Sequence, residues 1–504
     1  MDIDPVEGVV GRVETRSGGV ARRPGVEPPG GKPIGGIDQA RHQEETPLDA
    51  VMGPIARYFK FAERDTTFLT ESRAGLTTFM VMAYIIFVNP SILTGGFAAA
   101  GVQIKPEDVV AYAAATALVA GIMTIAMGII GNYPLALAAG LGINAIVAFT
   151  LVLGKGLTPA GAMGVIVLEG LAITVLVVIG LREAIMAAVP LALKRSIGVG
   201  IGLFILFIGF VNGGLIVTPQ GGSPIVTLAF PTQTAQFVFL LGLLITVALY
   251  VLKVRAALII SILVTTVVAL IAGVTKLPEN GLTVTPSFTT LGNFNLTQVF
   301  DKLGLITALL TIFAIMLSDF FDTMGTVTGI AEEAGLAEED GSVPGIGRVL
   351  IVDSIAAVAG GAAGISSNTT YIESAAGVAE GGRTGFASVV TGLLFLAAVF
   401  LSPIAGVVPN AATAPALVLV GYLMFTLIKD VNVADVEDGL PALLTIILMP
   451  LTYDITVGIG AGFISWVLIK VLKRKWAEVH WLMYAVSIAF VVYFAKDWIQ
   501  TFIK

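Results

Sequence analysis

Apolar runs separated by short polar gaps follow one another along the chain from residue 74 onward. A membrane-crossing helix needs about 20 predominantly apolar residues, and fewer where the helix is broken. By that criterion the pattern predicts fourteen membrane-spanning segments. They are 74–93, 109–131, 133–152, 160–181, 197–213, 235–252, 256–274, 303–330, 348–363, 366–380, 386–407, 411–428, 438–451 and 454–473. A fifteenth apolar run, 482–495, either crosses the membrane or lies at its surface beside Trp476, Trp481 and Trp498.

A polar stretch at 275–301 divides the predicted segments seven and seven. An odd number of crossings in each half gives the halves opposite orientations, as in the inverted repeats of secondary transporters. Basic residues are concentrated in the loops on the side of the N-terminus, which the positive-inside rule places in the cytoplasm. The loops on that side carry Arg182, Lys194, Arg195, Lys253, Arg255, Arg348, Arg383 and Lys429, whereas the opposite loops carry Lys105, Lys155, Lys276 and Lys302.

Two of the predicted segments are interrupted, and they occupy corresponding positions in the two halves. The third reads NYPLALAAGLGINAIVAF, in which Pro134, Gly140 and Gly142 disfavour a continuous helix. The tenth reads GISSNTTYIESAAGVAEGG, in which Ser367–Tyr371 is polar and β-prone and a helix resumes near Ile372. Each segment is therefore predicted to be a short extended stretch that meets a half-helix, a pattern that marks the binding sites of transporters.

Composition supports the membrane assignment and excludes other classes. Of the 504 residues, 56% are hydrophobic and 12% are charged, which leaves too little polar surface for a soluble globule. Because the chain has no cysteine and two histidines, His42 and His480, no metal site or cofactor is expected. The net charge of −7 gives no indication of nucleic-acid binding. Residues 1–60 are rich in proline, glycine and mixed charge, and are predicted to be a disordered tail.

Acidic side chains within the apolar segments are the strongest candidates for function. Asp319 and Asp322 lie three residues apart in LSDFFDTMGTVTG, on one face of the eighth predicted segment. A charge at the middle of a bilayer costs roughly 2.5–3.5 kcal/mol, so such residues mark functional sites by default. Glu373 lies where the half-helix of the tenth segment begins, a position that favours a carboxylate. Structural roles, as a bond to a neighbouring helix or as a helix cap, are the alternatives.

Other polar residues in the segments are further candidates. Asn144 follows the glycines of the third segment, and its amide both donates and accepts hydrogen bonds. Asp353 and Glu169 either take a direct part or pair with serine and threonine on neighbouring helices. Lysine and arginine are confined to the predicted loops, so the intramembrane acids are expected to lack basic partners and to exchange protons readily. Proton coupling is therefore predicted, with sodium as the alternative coupling ion.

Several long motifs, in the right order, give the chain a resemblance to a known family. They are FAERDTTFLTESRAGLTTFMVMAYIIFVNPSIL, AAGLGINA, SDFFDTMGTVTG, TTYIESAAGVAEGGRTG and MPLTYDITVGIGAGFISW. From about residue 60 to residue 475 the chain resembles the nucleobase–cation symporters, specifically the azaguanine-type purine permeases of bacteria and fungi.

The resemblance implies an all-α polytopic membrane protein of fourteen spans, built as a seven-plus-seven inverted repeat with short strands in spans 3 and 10. Spans 1–4 and 8–11 would form a core domain, and spans 5–7 and 12–14 a gate domain through which homodimers form. The expected divisions are a tail at 1–60, core halves at 70–190 and 302–408, gate halves at 197–275 and 409–475, and an interfacial or additional hydrophobic helix at 476–504. The expected location is the plasma membrane, with the N-terminus in the cytoplasm.

The resemblance also implies which residues hold a substrate. An acid of span 8 and an acid or amide of span 10 hold the base in such permeases, and a glycine–asparagine pair of span 3 accompanies them. The predicted substrate-binding residues are Asp322, Glu373, Asn144, Gly142, Thr370 and Phe321, and the predicted proton-coupling residues are Asp322, Glu373 and Asp319.

The predicted function is import of the purine nucleobases adenine, guanine and hypoxanthine by proton symport, through alternating access. Carboxylates would accept hydrogen bonds from the N–H groups of the base, and the ring of Phe320, Phe321 or Tyr371 would stack on its flat face. One alternative is an anion transporter of the sulfate-permease kind, which shares the architecture but calls for a basic site. The other is an intramembrane acid-based enzyme, for which Asp322 and Glu373 would form the facing pair.

Overall fold

The structure is a computed structural model that describes residues 53–180, 188–219, 226–277, 285–338 and 342–503, with side chains described up to residue 495. Most of the predicted tail, residues 1–52, lies outside the described residues, as does Arg182. Gly53–Phe59 forms helix α1, so helical structure begins before the expected end of the tail at residue 60. The rings of Phe59 and Phe61 pack edge-on against that of Phe386, which attaches this end of the chain to the helices.

The first half of the chain contains most of the helices that the apolar runs predict. The elements are α2 Phe68–Met82, α3 Ile85–Ala99, α4 Pro106–Ala126 with a π-helical extension Met127–Gly131, β1 Leu137–Ala139, α5 Leu141–Ala145 with a π-helical extension Ile146–Gly154, α6 Pro159–Val178, α7 Leu191–Asn212, β2 Ile216–Val217, β3 Thr227–Leu228, α8 Thr234–Val251 and α9 Ala257–Ile271. Two of these helices, α4 and α6, begin with proline, which suits the first turn because its fixed φ is helical and the missing N–H has no partner there.

The second half likewise has a short strand followed by a short helix among its longer helices. It consists of α10 Leu296–Leu303, α11 Leu305–Glu333, α12 Ile346–Ala362, β4 Asn368–Thr370, a 3₁₀ turn Ile372–Ser374 leading into α13 Ala375–Ala379, α14 Gly385–Ala398 with a 3₁₀ extension Val399–Val407, α15 Asn410–Phe425 with a 3₁₀ extension Thr426–Asp430, α16 Val436–Thr452, α17 Ile455–Leu472 and α18 Trp481–Ile503. Nine helices in the described part of the chain are long and apolar enough to cross a membrane, and the shorter apolar helices are Leu141–Gly154, Ala257–Ile271 and Trp481–Ala495.

The structure differs from the sequence prediction in three places. The first segment starts at Phe68 rather than residue 74, and it is bent between α2 and α3. The stretch at 275–301 contains the amphipathic helix α10, which buries Val299. A short antiparallel pairing joins β2 to β3 between α7 and α8, where no strand is predicted. The last two departures involve short elements, whose hydrophobic pattern is too brief to recognise.

Strands β1 and β4, one from each interrupted segment, form a two-stranded antiparallel ribbon. Leu137 pairs with Thr370 and Ala139 with Asn368, and every residue of both strands is buried. The pairing continues beyond the strands, because the N–H of Gly140 donates to the carbonyl of Ser367 over 2.9 Å. We call this pair of strands the crossing ribbon.

The outer edges of the crossing ribbon are bonded to side chains of the helices before each strand. On β1, the hydroxyl of Thr124 in α4 accepts from the N–H of Leu137 over 2.9 Å and donates to its carbonyl over 3.0 Å. On β4, the carboxylate of Asp353 in α12 accepts from the N–H of Thr370 over 2.9 Å. Unbonded strand edges are not tolerated at membrane depth, so these two side chains make the ribbon possible there.

The helices around the crossing ribbon pack in two groups. In the first group, α6 packs on α12, and α14 packs on α2 and α4. In the second group, α7 packs on α15 and α16, α16 packs on α17, and α8 packs on α9 and α15. Glycines allow the closest approaches: a Cβ on Gly385 would lie 2.0 Å from the carbonyl oxygen of Gly128, and one on Gly421 would lie 2.5 Å from that of Gly202. Contacts of this kind are the usual basis of helix association in membranes.

Helix α18 runs antiparallel along α17. Near the middle of both helices the ring of Phe490 lies 6.2 Å from that of Phe463. At the end where α17 begins, the hydroxyl of Tyr493 accepts a hydrogen bond from Lys155 over 3.0 Å, and Lys155 also pairs with Asp454 over 2.6 Å. The apolar run at 482–495 therefore follows α17 from one end towards the other.

Candidate functional site

The two acids of α11 point into different surroundings. Asp322 is exposed, although it lies in the long apolar helix α11, and we call the open space beside this side chain the cleft. Asp319 is 1% exposed, and its Oδ2 accepts a hydrogen bond from the hydroxyl of Ser367 over 2.8 Å. Their spacing predicts one shared helix face, yet only Asp322 opens onto the cleft, because the crossing ribbon covers Asp319.

Glu373 lies in the 3₁₀ turn that opens the half-helix of the tenth segment, and it is partly exposed. Its Oε1 accepts a hydrogen bond from the hydroxyl of Tyr84 over 2.7 Å. Tyr84 is fully buried at the bend between α2 and α3, and sequence analysis does not identify it. The available signal is a tyrosine inside the apolar run MVMAYIIFV, since a buried tyrosine hydroxyl normally finds a partner. The carboxyl of Asp322 is within electrostatic range of Glu373.

Asp353 fixes the strand that leads to Glu373. Besides the N–H of Thr370, it accepts hydrogen bonds from the hydroxyls of Thr370 and Thr323, each over 2.8 Å. The hydroxyl of Thr323 lies 2.7 Å from that of Thr369, so α11, α12 and β4 share one polar network. The hydroxyl of Thr370, a predicted substrate contact, is bonded to Asp353 and is 2% exposed.

Asn144 and Gly142 lie in the half-helix α5. Asn144 is fully buried, its Nδ2 is 3.5 Å from the carbonyl oxygen of Ala139, and its Oδ1 has no hydrogen-bond partner among the described residues. A Cβ on Gly142 would lie 2.7 Å from Cγ2 of Ile201 in α7, so this glycine lets α5 approach the second helix group. These positions place an unsatisfied amide oxygen and a close helix contact next to the crossing ribbon.

The aromatic candidates differ in how free their rings are. Phe321 is partly exposed, and Nζ of Lys194 lies 5.3 Å from its ring centroid. Phe320 is buried, and the hydroxyl of Tyr371 donates to the carbonyl of Ala139. The prediction that basic residues are confined to loops is wrong for Lys194 and Arg195, near the start of α7. It is wrong for Arg348, near the start of α12, and for Lys302, at the end of α10. It is also wrong for Lys470, which lies in α17 and pairs with an acid.

Glu71 is a buried acid that sequence analysis does not single out. It lies in α2, and its carboxylate accepts hydrogen bonds from the backbone N–H groups of Arg383, Thr384 and Ala387 over 2.8–3.2 Å. These groups belong to the start of α14, where the helix dipole and free N–H groups favour a negative charge. Glu71 therefore serves as a helix cap between α2 and α14, away from the cleft.

The half-helices α5 and α13 follow strands of opposite direction. Because β1 and β4 are antiparallel, the chain enters the ribbon from opposite sides, and the two helix N-termini face one another across it. Partial positive charge gathers at such N-termini. Asp322, Glu373 and Asn144 lie on elements that meet at this ribbon, so hydrogen-bond donors and acceptors are gathered there.

Comparison with known proteins gives the family of this chain. A model described as "Permease family" (Xan_ur_permease) matches residues 69–461. The chain is 40% identical over 444 residues to the guanine/hypoxanthine permease PbuG of Bacillus subtilis, covering 87% of this chain and 98% of that protein. It is 38% identical over 453 residues to the adenine permease AdeP of Escherichia coli, covering 90% and 98% respectively. The chain belongs to this permease family.

Among solved structures, the permease resembles the transmembrane domain of BicA, a bicarbonate transporter of a cyanobacterium. The TM-score is 0.56 at 15% identity, covering 78% of this chain and 96% of that one. A likeness at this identity concerns the fold alone. Together with the nine apolar helices in its described part, the family makes the permease an integral membrane protein.

Replacing Asp353 tests how the crossing ribbon is held. Asp353→Ala leaves the buried N–H of Thr370 without its acceptor, which costs about 1–3 kcal/mol, so we expect a clearly lower melting temperature in detergent. Asp353→Asn keeps an acceptor oxygen and serves as the matched control, with a smaller decrease. Equal melting temperatures for wild type and Asp353→Ala would show that the ribbon edge does not depend on this side chain.

Proposed function

We propose that this permease transports purine nucleobases (adenine, guanine or hypoxanthine) together with protons, by alternating access. The observation that carries the proposal is its similarity, along nearly their whole length, to relatives named guanine/hypoxanthine and adenine permeases. Membership of a permease family favours a transporter over an intramembrane enzyme. The likeness to a bicarbonate transporter does not favour an anion as substrate, because it concerns the fold alone.

The chemistry of the cleft suits a purine. Asp322 and Glu373 offer carboxylate oxygens to the N–H groups of the base, and Tyr84 holds one oxygen of Glu373 in place. The unpaired oxygen of Asn144, in the half-helix that follows the other strand of the crossing ribbon, is a further acceptor. A site built from such groups discriminates strongly, because the wrong base leaves buried polar atoms unpaired. Phe321 is a partly exposed aromatic ring, and stacking of a base on the face that Lys194 covers would require Lys194 to move.

The proposed architecture is fourteen spans in a seven-plus-seven inverted repeat. The order of elements supports it, since each half has an interrupted third segment and the two interruptions pair in the crossing ribbon. The first helix group corresponds to the expected core domain and the second to the expected gate domain. We also propose a cytoplasmic N-terminus, a location in the plasma membrane and a homodimer formed through the gate, as the family resemblance implies.

Alternating access requires the two helix groups to move against each other. The polar contacts that would have to break include those of Ser91 in α3, whose hydroxyl bonds to Asn410 over 3.0 Å and lies 2.6 Å from the hydroxyl of Thr413. They also include two ion pairs, Lys155 with Asp454 and Arg255 with Glu380. The hydroxyls of Thr150 and Thr275 donate to the carbonyls of Tyr453 and Val407 across the same boundary.

Helix α18 is proposed to be a fifteenth span. Its 23 residues extend about 35 Å as a helix, and its contacts continue along α17 to the opposite end.

Two substitutions test the proposed site directly. Asp322→Asn and Glu373→Gln each remove a charge that accepts hydrogen bonds from the base, so we expect uptake of radiolabelled hypoxanthine to fall at least about 100-fold in each, the effect of losing roughly 3 kcal/mol. Glu333→Gln, at the exposed end of the same helix α11, is the matched control and should transport normally. Wild-type uptake in both site variants would refute the assignment.

Tyr84 is expected to orient Glu373. In Tyr84→Phe the carboxylate loses its donor while the ring remains, so we expect the KM for hypoxanthine to rise about tenfold or more, since a hydrogen bond to a charged group contributes roughly 1.5–3 kcal/mol. Tyr112→Phe removes a hydroxyl from another buried tyrosine, in α4, and should leave KM unchanged. An unchanged KM in Tyr84→Phe would mean that Glu373 does not need this bond.

The orientation of α18 is tested with epitope tags. A tag inserted between Lys475 and Trp476 should be protected in intact cells, and a tag after the last residue should be accessible from outside, because α18 would carry the chain across once more. A tag near residue 60 provides the cytoplasmic reference. Both tags on the same side would place α18 at the membrane surface instead.

A further inference from the structure

Glu169 is a buried acid that the proposed site does not use. It lies in the middle of α6, is 0% exposed, and neither of its carboxyl oxygens meets a hydrogen-bond donor in the described part of the chain. Helix α6 packs on α11, and the carboxyl of Asp319 in α11 acts on that of Glu169. Oδ1 of Asp319 also has no donor among the described residues, whereas its Oδ2 is bonded to Ser367.

Two such carboxyl groups cannot both be ionised without a large cost. Burying one carboxylate without a donor is unfavourable, and placing two side by side adds their repulsion. A single proton resolves both problems, because the protonated carboxyl of one acid donates to the free oxygen of the other. The pair then carries one negative charge instead of two, and Ser367 stabilises that charge on Asp319.

The charged groups around the pair are few. From α12, Asp353 acts on both acids, and from α11, Asp322 acts on Asp319. Helix α10 also packs on α6, but its Asp301 and Lys302 are exposed. The π-helical extension of α5, residues 146–154, contributes no charged side chain. No basic group acts on Glu169 among these neighbours, so a proton is the cation that suits the pair.

We propose that Glu169 and Asp319 form the binding site of the coupling proton, separate from the site that holds the base. This inference rests on the proposed function. Glu169 lies in α6 of the first helix group, and Asp319 lies in α11, which packs on α6 and also carries Asp322, so the proton travels with the part that holds the base.

Helix α11 and the crossing ribbon connect the pair of acids to the site that holds the base. Asp322 is one turn from Asp319, and Ser367 joins Asp319 to the strand that leads to Glu373. When the pair holds its proton, the negative charge near Asp322 is smaller, and Asp322 remains a carboxylate that accepts from the base. Binding of the proton and binding of the base therefore favour each other, and the linkage acts equally in both directions.

Liposomes containing the purified permease and labelled hypoxanthine test the proposal. In the wild type, a pH gradient of one unit, acid outside, should drive about tenfold accumulation for one proton per base, and addition of hypoxanthine should move protons that a pH-sensitive dye records. Glu169→Gln should abolish gradient-driven accumulation and the proton signal. The rate at which Glu169→Gln exchanges labelled for unlabelled hypoxanthine should stay within about threefold of wild type, because the base site is intact. A threefold change corresponds to a free-energy difference of about 0.7 kcal/mol.

Glu169→Asp, which keeps a carboxyl, should retain part of the accumulation.

Several results would overturn the proposal. One is proton-driven accumulation by Glu169→Gln equal to that of the wild type. Another is loss of exchange in both Glu169 variants, which would give this residue a structural or base-binding role. A third is a wild type that exchanges hypoxanthine but moves no proton, or that accumulates it only with a sodium gradient; this result does not depend on how the variants fold. Wild-type liposomes that exchange no purine at all would refute the proposed function itself, and with it the site.

Discussion

Backbone hydrogen bonding in the crossing ribbon is the constraint on which the site depends. Within a bilayer, a non-helical stretch survives only if other groups satisfy its N–H and C=O groups. Here each interrupted segment supplies the partner of the other, and Thr124 and Asp353 close the two outer edges. The ribbon can therefore exist only when both halves of the chain are folded together. That requirement brings the two half-helices, which are far apart in sequence, to a common point.

The same ribbon divides the acids of α11 into two environments. Asp322 is exposed, whereas Asp319 is buried, bonded to Ser367 just before β4, and acts on the buried Glu169. A single helical turn thus separates a carboxyl that meets the cleft from one that is sealed from it. A transporter that couples two ligands needs this arrangement, since its binding sites must be close enough to influence each other and distinct enough to be filled independently.

Much of this arrangement follows from the sequence, and what does not has a physical reason. Pro134, the paired glycines and the polar run before Ile372 mark both interruptions, because each disfavours helix locally. The partners are not local properties. Nothing in the pattern shows that Tyr84 reaches Glu373, since the contact joins residues nearly 300 positions apart by packing alone. The same holds for Glu71 and α14, and a helical pattern does not show that Lys194 enters the first turn of α7.

The buried acids differ in the hydrogen-bond donors and basic groups that surround them. Where a buried acid has a structural task, the structure gives it donors: Glu71 receives backbone N–H groups, and Glu437 receives Lys470. Glu373 receives one tyrosine hydroxyl, and Glu169 receives no donor among the described residues. An acid whose oxygens are all bonded to protein donors would stay ionised, and it would have no oxygen free to bind a base or a proton. The incomplete compensation of these acids sets them apart from those that hold the helices together, and it supports the proposed roles of Glu373 and Glu169 in binding.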